Sequence, residues 1–199
     1  MINRVLGFAP VYRLWQSPFA AQKMRPIISH SKIEDVQRVL DIGCGPGTNT
    51  AYFRHAYYQG FDLNPSYIEN AKRLYPWGNF SVADVTQHEF TQQYDFVLLN
   101  SLLHHLNDQQ VESVLKAARR SLKQGGEVHI IELVKAPRGI PALLARMDRG
   151  DYPRTVEEWR QLFAREFRTE VLEPFPVRGM GMTLWELVYF KGSLLQRLN

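Results

Sequence analysis

Val39-Leu40-Asp41-Ile42-Gly43-Cys44-Gly45-Pro46-Gly47-Thr48 is the stretch whose reading decides the fold. A short apolar run, broken only by Asp41, leads into three glycines spaced two apart, which suits a strand buried in a parallel sheet. Gly43, Gly45 and Gly47 can take positive φ and let a ligand come close to the backbone. Outward from this turn, strand-like and helix-like segments alternate. Residues 48–55 can form a short helix and 57–62 a strand. Pro65 opens a helical stretch to Tyr75 with Asn64 as its N-cap. Residues 80–83 and 95–99 read as a third and a fourth strand. Asn107 or Asp108 can cap a helix over 109–122, whose Val111, Val114, Leu115, Ala118 and Leu122 share one face. Gly125 and Gly126 are expected to stop it before a fifth strand, 127–134. This rhythm predicts an α/β domain with a parallel sheet and right-handed crossovers. It breaks at the end: after a helix over 156–167, strand-like runs 169–177 and 183–190 are joined only by Arg178-Gly179-Met180-Gly181. So short a link demands an antiparallel hairpin.

The turn chemistry narrows the ligand. Its G-x-G-x-G spacing is not the G-x-G-x-x-G that seats a pyrophosphate on a helix N-terminus. Asp41 would repel a phosphate there and attract an ammonium group, so a cofactor with an amino-acid moiety is favoured over a dinucleotide. Asp62 ends the second strand about twenty residues on, where a carboxylate can accept from both ribose hydroxyls. Asp84 ends the third strand, placed to meet an adenine amino group, with the Val85 amide facing the ring. Three carboxylates at three successive strand ends are more specific than any one.

Val-Leu-Asp-Ile-Gly-Cys-Gly-Pro-Gly, Gly-Phe-Asp-Leu-Asn-Pro, Ala-Asp-Val, Tyr-Asp-Phe-Val-Leu-Leu-Asn-Ser-Leu-Leu-His-His-Leu and Leu-Lys-Gln-Gly-Gly-Glu-Val follow one another between residues 39 and 134. In that order they resemble the motifs of class I S-adenosylmethionine-dependent methyltransferases, most of all the small type 11 group. The resemblance implies a Rossmann-like, mostly parallel seven-stranded sheet with a C-terminal antiparallel hairpin and helices on both faces. It implies S-adenosyl-L-methionine as cofactor, held by Asp41 and Gly43 at the methionine moiety, Asp62 at the ribose, and Asp84 with Val85 at the adenine. Cys44, Gly45, Gly47 and Leu63 complete that set, and Asn100 offers its carbonyl near the amino group and sulfonium. Cys44 reads as a small turn residue, since no paired base activates it. His104 and His105 follow the fourth strand, where a general base is useful to a weakly acidic acceptor. Packing or capping is the competing reading for both.

Composition bounds the rest. The chain of 199 residues with 45% apolar content fits one domain with a proper core. No window approaches the roughly 18 apolar residues of a membrane span, and the N-terminus does not read as a secretory signal. A single cysteine permits no internal disulfide, which suits a cytoplasmic location. Five cations precede the first acidic residue, Glu34, and account for the net charge of +4. We therefore read residues 1–35 as a helical arm and 36–199 as the cofactor-binding domain. Tyr12, Trp15 and Phe19 make the arm too apolar to float free. It is expected to close the pocket as a lid, Tyr12 packing near the sulfonium; a membrane-surface anchor and a solvated arm are the rivals. Basic residues between 135 and 154 suit a pocket wall for an anionic small-molecule or lipid-linked acceptor. Asn100-Ser101-Leu102-Leu103 lacks the Asn/Asp-Pro-Pro-aromatic run of nucleobase N-methylation, so O- or C-methylation is favoured and nucleic acid is not the expected partner. No metal-ligand spacing is present. A non-catalytic binding module, an RNA-directed methyltransferase and an NAD-dependent oxidoreductase are the alternatives.

Overall fold

The computed structural model of the chain describes residues 9–91, 93–135 and 152–195, with side chains from residue 19 onward. A helix α1 (Ala9–His30) precedes β1 (Arg38–Ile42), β2 (Tyr57–Asp62), α2 (Pro65–Leu74), β3 (Asn79–Val82) and β4 (Tyr94–Asn100). Then come α3 (Asp108–Ser121), β5 (Leu122–Leu133), α4 (Val156–Ala164), β6 (Phe167–Gly179) and β7 (Met182–Leu194). The strands form one seven-stranded sheet in the order β3-β2-β1-β4-β5-β7-β6. β1 to β5 pair in parallel, and β7 runs antiparallel to both β5 and β6.

Successive side chains of a strand point to opposite faces, and here both faces are covered. Leu40, Ile42, Val97, Leu99, Val128 and Ile130 pack with Val111 and Leu115 of α3 and Trp159 and Phe163 of α4. Val39, Phe96, Leu98, Ile131 and Tyr189 face the other way, against Met24 and Ile27 of α1 and Ile68 and Ala71 of α2. Near-continuous apolar runs in the central strands are what a sheet covered on both faces requires. Met24 and Ile27 are fully buried, so the second half of α1 belongs to the same core as the sheet. Gln22 fastens it further: its Nε2 donates to the Arg178 carbonyl at 2.8 Å, and its Oε1 accepts from the Arg178 amide at 2.9 Å.

Caps fall where the sequence puts them. Asn64 accepts from the Ser66 amide, and Asn107 forms a reciprocal capping box with Gln110. The predicted hairpin is present, with Met180 (φ 51°) and Gly181 (φ 77°) forming its two-residue turn. Both central residues at positive φ match the twist of the flanking strands. Three local expectations change. Residues 48–55 contain only a 3-10 turn, Thr50–Phe53. The helix predicted over 156–167 ends at Ala164, because Phe167 already opens β6 and is buried under the sheet. Gly125 and Gly126 do not stop α3: Leu122 is already extended and pairs with Tyr94, and the glycines lie inside β5. A Cβ on Gly126 would stand 2.9 Å from the Tyr94 carbonyl oxygen, so glycine serves close approach to β4 at a register shift.

Candidate functional site

The carboxyl ends of β1, β2, β3 and β4 meet around a cleft of about 350 Å³. Gly43, Asp62, Leu63, Asp84, Val85 and Leu102 all contribute to its wall. Ligands of open α/β sheets bind at this edge. The turn after β1 is tight: Gly43, Gly45 and Gly47 have φ of 74°, 55° and 86°. A Cβ on Gly43 would come within 3.0 Å of the Leu102 side chain, filling the space between β1 and the loop after β4. The amides of Gly43 and Cys44 both donate to the Phe61 carbonyl, at 2.8 and 3.0 Å, which ties the turn to β2.

Asp62 holds the same turn from the side. Its Oδ2 accepts from the Gly45 amide at 2.9 Å and its Oδ1 from the Asn64 amide at 2.8 Å. Each carboxylate oxygen has a second acceptor site, and the partly exposed side chain lines the cleft. Burial raises its pKa, the amide bonds opposing that shift. Asp84 is exposed, and its Oδ1 accepts from the Thr86 amide at 2.9 Å and hydroxyl at 2.7 Å. Val85 is buried beneath it, while Leu63 is 70% exposed on the rim. An exposed leucine beside a buried valine makes two apolar walls for a flat ring.

Asp41 is fully buried and does not line the cleft. The Tyr58 hydroxyl donates to its Oδ2 at 2.5 Å, and its Oδ1 has no hydrogen-bond partner among the described residues. Burial pushes its pKa up to about 7, against the lowering influence of Tyr58 and Asn49. Asn49 stands between Asp41 and a second, small cavity of about 30 Å³, which Gly43 shares with the main cleft. Asn100 also lines this cavity, and its Nδ2 donates to Asn49 Oδ1 at 3.2 Å. Cys44 is buried, and burial with the charges of Asp41 and Asp62 pushes its thiol well above the usual range. A protonated thiol is a packing group, matching its contact with Gly60, where a Cβ would meet Cys44 Sγ at 2.8 Å.

The two histidines part company. His104 is 1% exposed, and its Nδ1 lies 2.7 Å from Glu132 Oε2. Glu132, itself fully buried, also accepts from the amides of Leu102 at 2.9 Å, Leu103 at 2.6 Å and His104 at 3.3 Å. Burial alone would raise the Glu132 pKa; the His104 charge and bond, with the loop amides, outweigh it and hold the carboxyl below its ordinary value. His105 is exposed beside it, the ring centroids 4.1 Å apart. Neither histidine is among the residues lining the two cavities. Arg154 locks the same loop from outside, donating to Asp108 at 2.7 Å and to the carbonyls of Leu103, Leu106 and Tyr152. Of the basic stretch expected to wall an acceptor pocket, Lys135 and Arg154 line a separate cavity of about 410 Å³ beside Asp108, the Arg154 guanidinium being committed to this loop, and 136–151 lie outside the described residues. The Tyr12 side chain also lies outside them.

Sequence reasoning missed Glu132, Asn49 and Lys23. Glu132 was visible as a lone carboxylate in the apolar run 130–134, a position that only a buried partner set makes tolerable. Lys23 is 8% exposed on α1 and reaches the small cavity, donating to Ser101 Oγ at 2.9 Å. Nothing in its sequence surroundings distinguishes it from the arm's other cations.

The donor set separates the cofactor classes. The main cleft carries Asp62 and Asp84 and no lysine or arginine among its lining residues. No α-helix starts at the glycine turn among the described residues, only the 3-10 turn Thr50–Phe53. A pyrophosphate would meet carboxylates without the helix N-terminus that anion sites use. An adenosine fits: acceptors for ribose and amine, apolar walls for the ring, and an orphaned buried carboxylate oxygen behind the turn. No group of three or more metal-binding side chains occurs among the described residues.

A family model described as a methyltransferase domain matches residues 39–126. Trans-aconitate 2-methyltransferase of Escherichia fergusonii is 33% identical over 97 residues, which are 45% of this chain and 38% of that protein. The chain therefore spans well under half of the curated relatives it matches. Among solved structures, mitomycin 7-O-methyltransferase superposes with a TM-score of 0.73 at 17% identity, over 94% of this chain and 56% of that one. The N-methyltransferase NodS of Bradyrhizobium japonicum WM9, in complex with S-adenosyl-L-homocysteine, gives 0.69 at 15% identity, over 89% and 86%. These likenesses speak to the fold, and the family match to its central strands. Residues 39–126 thus match the model of a methyltransferase domain, and the sheet around them shares the fold of these methyltransferase structures.

Proposed function

We propose that this protein is an S-adenosylmethionine-dependent methyltransferase acting on a small-molecule acceptor, with O- or C-methylation favoured. The observation that carries the reading is the cation-free cleft with Asp62 and Asp84 at successive strand ends, joined at Gly43 to the small polar cavity. Bound there, the cofactor supplies a methyl group already activated on a sulfonium. Asp62 would accept from the ribose hydroxyls, Asp84 and the Val85 amide would hold the adenine between Leu63 and Val85, and the Asn100 carbonyl would face the amino group. What remains for the protein is alignment of an acceptor with the transferring bond. Where that acceptor must lose a proton, His105 is the group we assign, because His104 is committed to Glu132.

Trans-aconitate 2-methyltransferase is named for a small molecule, which supports an acceptor of that size and an anionic one. A lipid-linked acceptor is a narrower form of the same proposal. No helix of the described residues is long and apolar enough to cross a membrane; a cytoplasmic location is proposed on the single cysteine.

The arm before Phe19 is proposed as a lid, because the same helix α1 continues into Ala20 and Lys23, which line the small cavity. Its test must respect the core. Deleting residues 1–30 would remove Met24 and Ile27, so the cut belongs before Phe19. The lid reading expects weaker cofactor binding in that variant; intact binding with lost vesicle association would instead support the anchor.

The deciding experiment is calorimetry with S-adenosylmethionine, S-adenosylhomocysteine and NADH, followed by detection of S-adenosylhomocysteine with candidate acids and phenols. Binding of the sulfur cofactors alone supports the reading. NADH binding with no heat from either of the others overturns it, and cofactor binding without any turnover across acceptors favours the binding-only module.

A further inference from the structure

We infer that Lys23 binds the carboxylate at the amino-acid end of the cofactor, and that α1 is therefore part of the cofactor site. The inference rests on the function proposed above. The main cleft and the small cavity share Gly43, and together their walls contain one cation, Lys23, among the described residues. Everything else charged there is acidic. Lys23 is 8% exposed, on a helix turn whose neighbours Met24 and Ile27 are fully buried, so packing of the helix fixes where its stem leaves the backbone.

Its surroundings are built as a relay. Lys23 Nζ donates to Ser101 Oγ at 2.9 Å, Ser101 Oγ donates to Asn100 Oδ1 at 3.1 Å, and Asn100 Nδ2 donates to Asn49 Oδ1 at 3.2 Å. Ser101 holds this place at φ 58°, a left-handed conformation that a non-glycine residue adopts at a cost. Asp41 lies beyond Asn49. One end of the cavity is thus positive and the other borders a buried carboxylate. An α-amino acid is a zwitterion with the same two charges a few ångströms apart. At about 30 Å³ the cavity has room for a small polar group and not for a nucleoside. It suits the terminal carboxylate, with the adenosine left in the main cleft.

The test compares ligands that differ only at this end. On the unaltered protein, decarboxylated S-adenosylhomocysteine, which keeps the ammonium, should bind about 10- to 100-fold more weakly than S-adenosylhomocysteine, the range of a hydrogen bond to a charged group. In Lys23→Met, S-adenosylhomocysteine should weaken by a similar factor. 5′-Methylthioadenosine, which lacks the whole amino-acid end, should keep its affinity within about twofold, and Lys23→Arg should recover part of the loss. Equal affinity of the two homocysteine forms for the unaltered protein overturns the inference, with no variant needed. So does an equal loss for methylthioadenosine in Lys23→Met, which would make the lysine structural. So does a change in acceptor KM with cofactor affinity intact, which would place the acceptor's anion there. Failure of the unaltered protein to bind any of these adenosyl ligands would instead remove the function proposed above, and this inference with it.

Discussion

Two carboxylates in this molecule do the same mechanical task with opposite consequences. Asp62 at the end of β2 clamps the glycine turn after β1, and Glu132 near the end of β5 clamps the loop after β4. Each ties down a loop that belongs to a neighbouring strand. Asp62 is partly exposed on the cleft wall and accepts from the Gly45 amide on one oxygen and the Asn64 amide on the other, so acceptor capacity remains. Glu132 is fully buried and takes three amides and an imidazole, so its capacity is spent. The first clamp is open and can bind; the second is closed and can only hold. A carboxylate near a strand end becomes a ligand group through what is left over after the loop is satisfied.

The largest effect should come from the closed clamp. Glu132→Ala removes the buried carboxylate shared by His104 Nδ1 and three amides and should cost about 3–5 kcal/mol of unfolding free energy. Chemical denaturation measures it; a variant as stable as the parent would mean that water replaces the carboxylate and the loop is not held by it. His105→Ala should leave stability unchanged and lower turnover by roughly 10²-fold or more with an acceptor that must be deprotonated. His104→Ala should instead show its loss in the melting temperature. If the two histidine variants behave alike, the division between inside and outside fails.

Next in size is the open clamp. Asp62→Ala should weaken S-adenosylhomocysteine by about 1.5–3 kcal/mol, with the fold kept, as calorimetry and a thermal melt together would read. Undiminished affinity would remove the ribose assignment. The smallest effect concerns Asp41, whose pKa of about 7 lies above its ordinary 3.8. Folding therefore takes up a proton between these values, so this group's burial costs stability increasingly as pH rises from about 4 to about 7, and the cost is constant above that. A bound ammonium nearby favours the ionised form, so cofactor affinity should rise between about pH 6 and pH 8, by less than tenfold per unit. Asp41→Asn should flatten that slope. An unchanged slope in the variant would assign the titration elsewhere.

The strands, the hairpin and the N-caps were legible because their signals are local: apolar runs, Met180-Gly181 between strands, and Asn64 and Asn107 ahead of helices. The glycine turn and the carboxylates at the strand ends were legible for the same reason, since a strand delivers its last residue to the sheet edge whatever else surrounds it. The glycines after α3 misled because Gly126 serves a close approach to β4, a requirement set by a strand distant in sequence. Sequence by itself thus determined the alternation, the sheet edge and the acceptor groups waiting there. Only the tertiary structure decided which of those groups stay open. Asp41 was withdrawn behind Asn49, His104 was spent on Glu132, and Lys23, some fifteen residues ahead of the first strand, was carried into the site by its helix. The reason is physical: a residue's type and local conformation follow from its neighbours in the chain, but its burial and its remaining hydrogen-bond capacity are set by groups that only folding brings beside it.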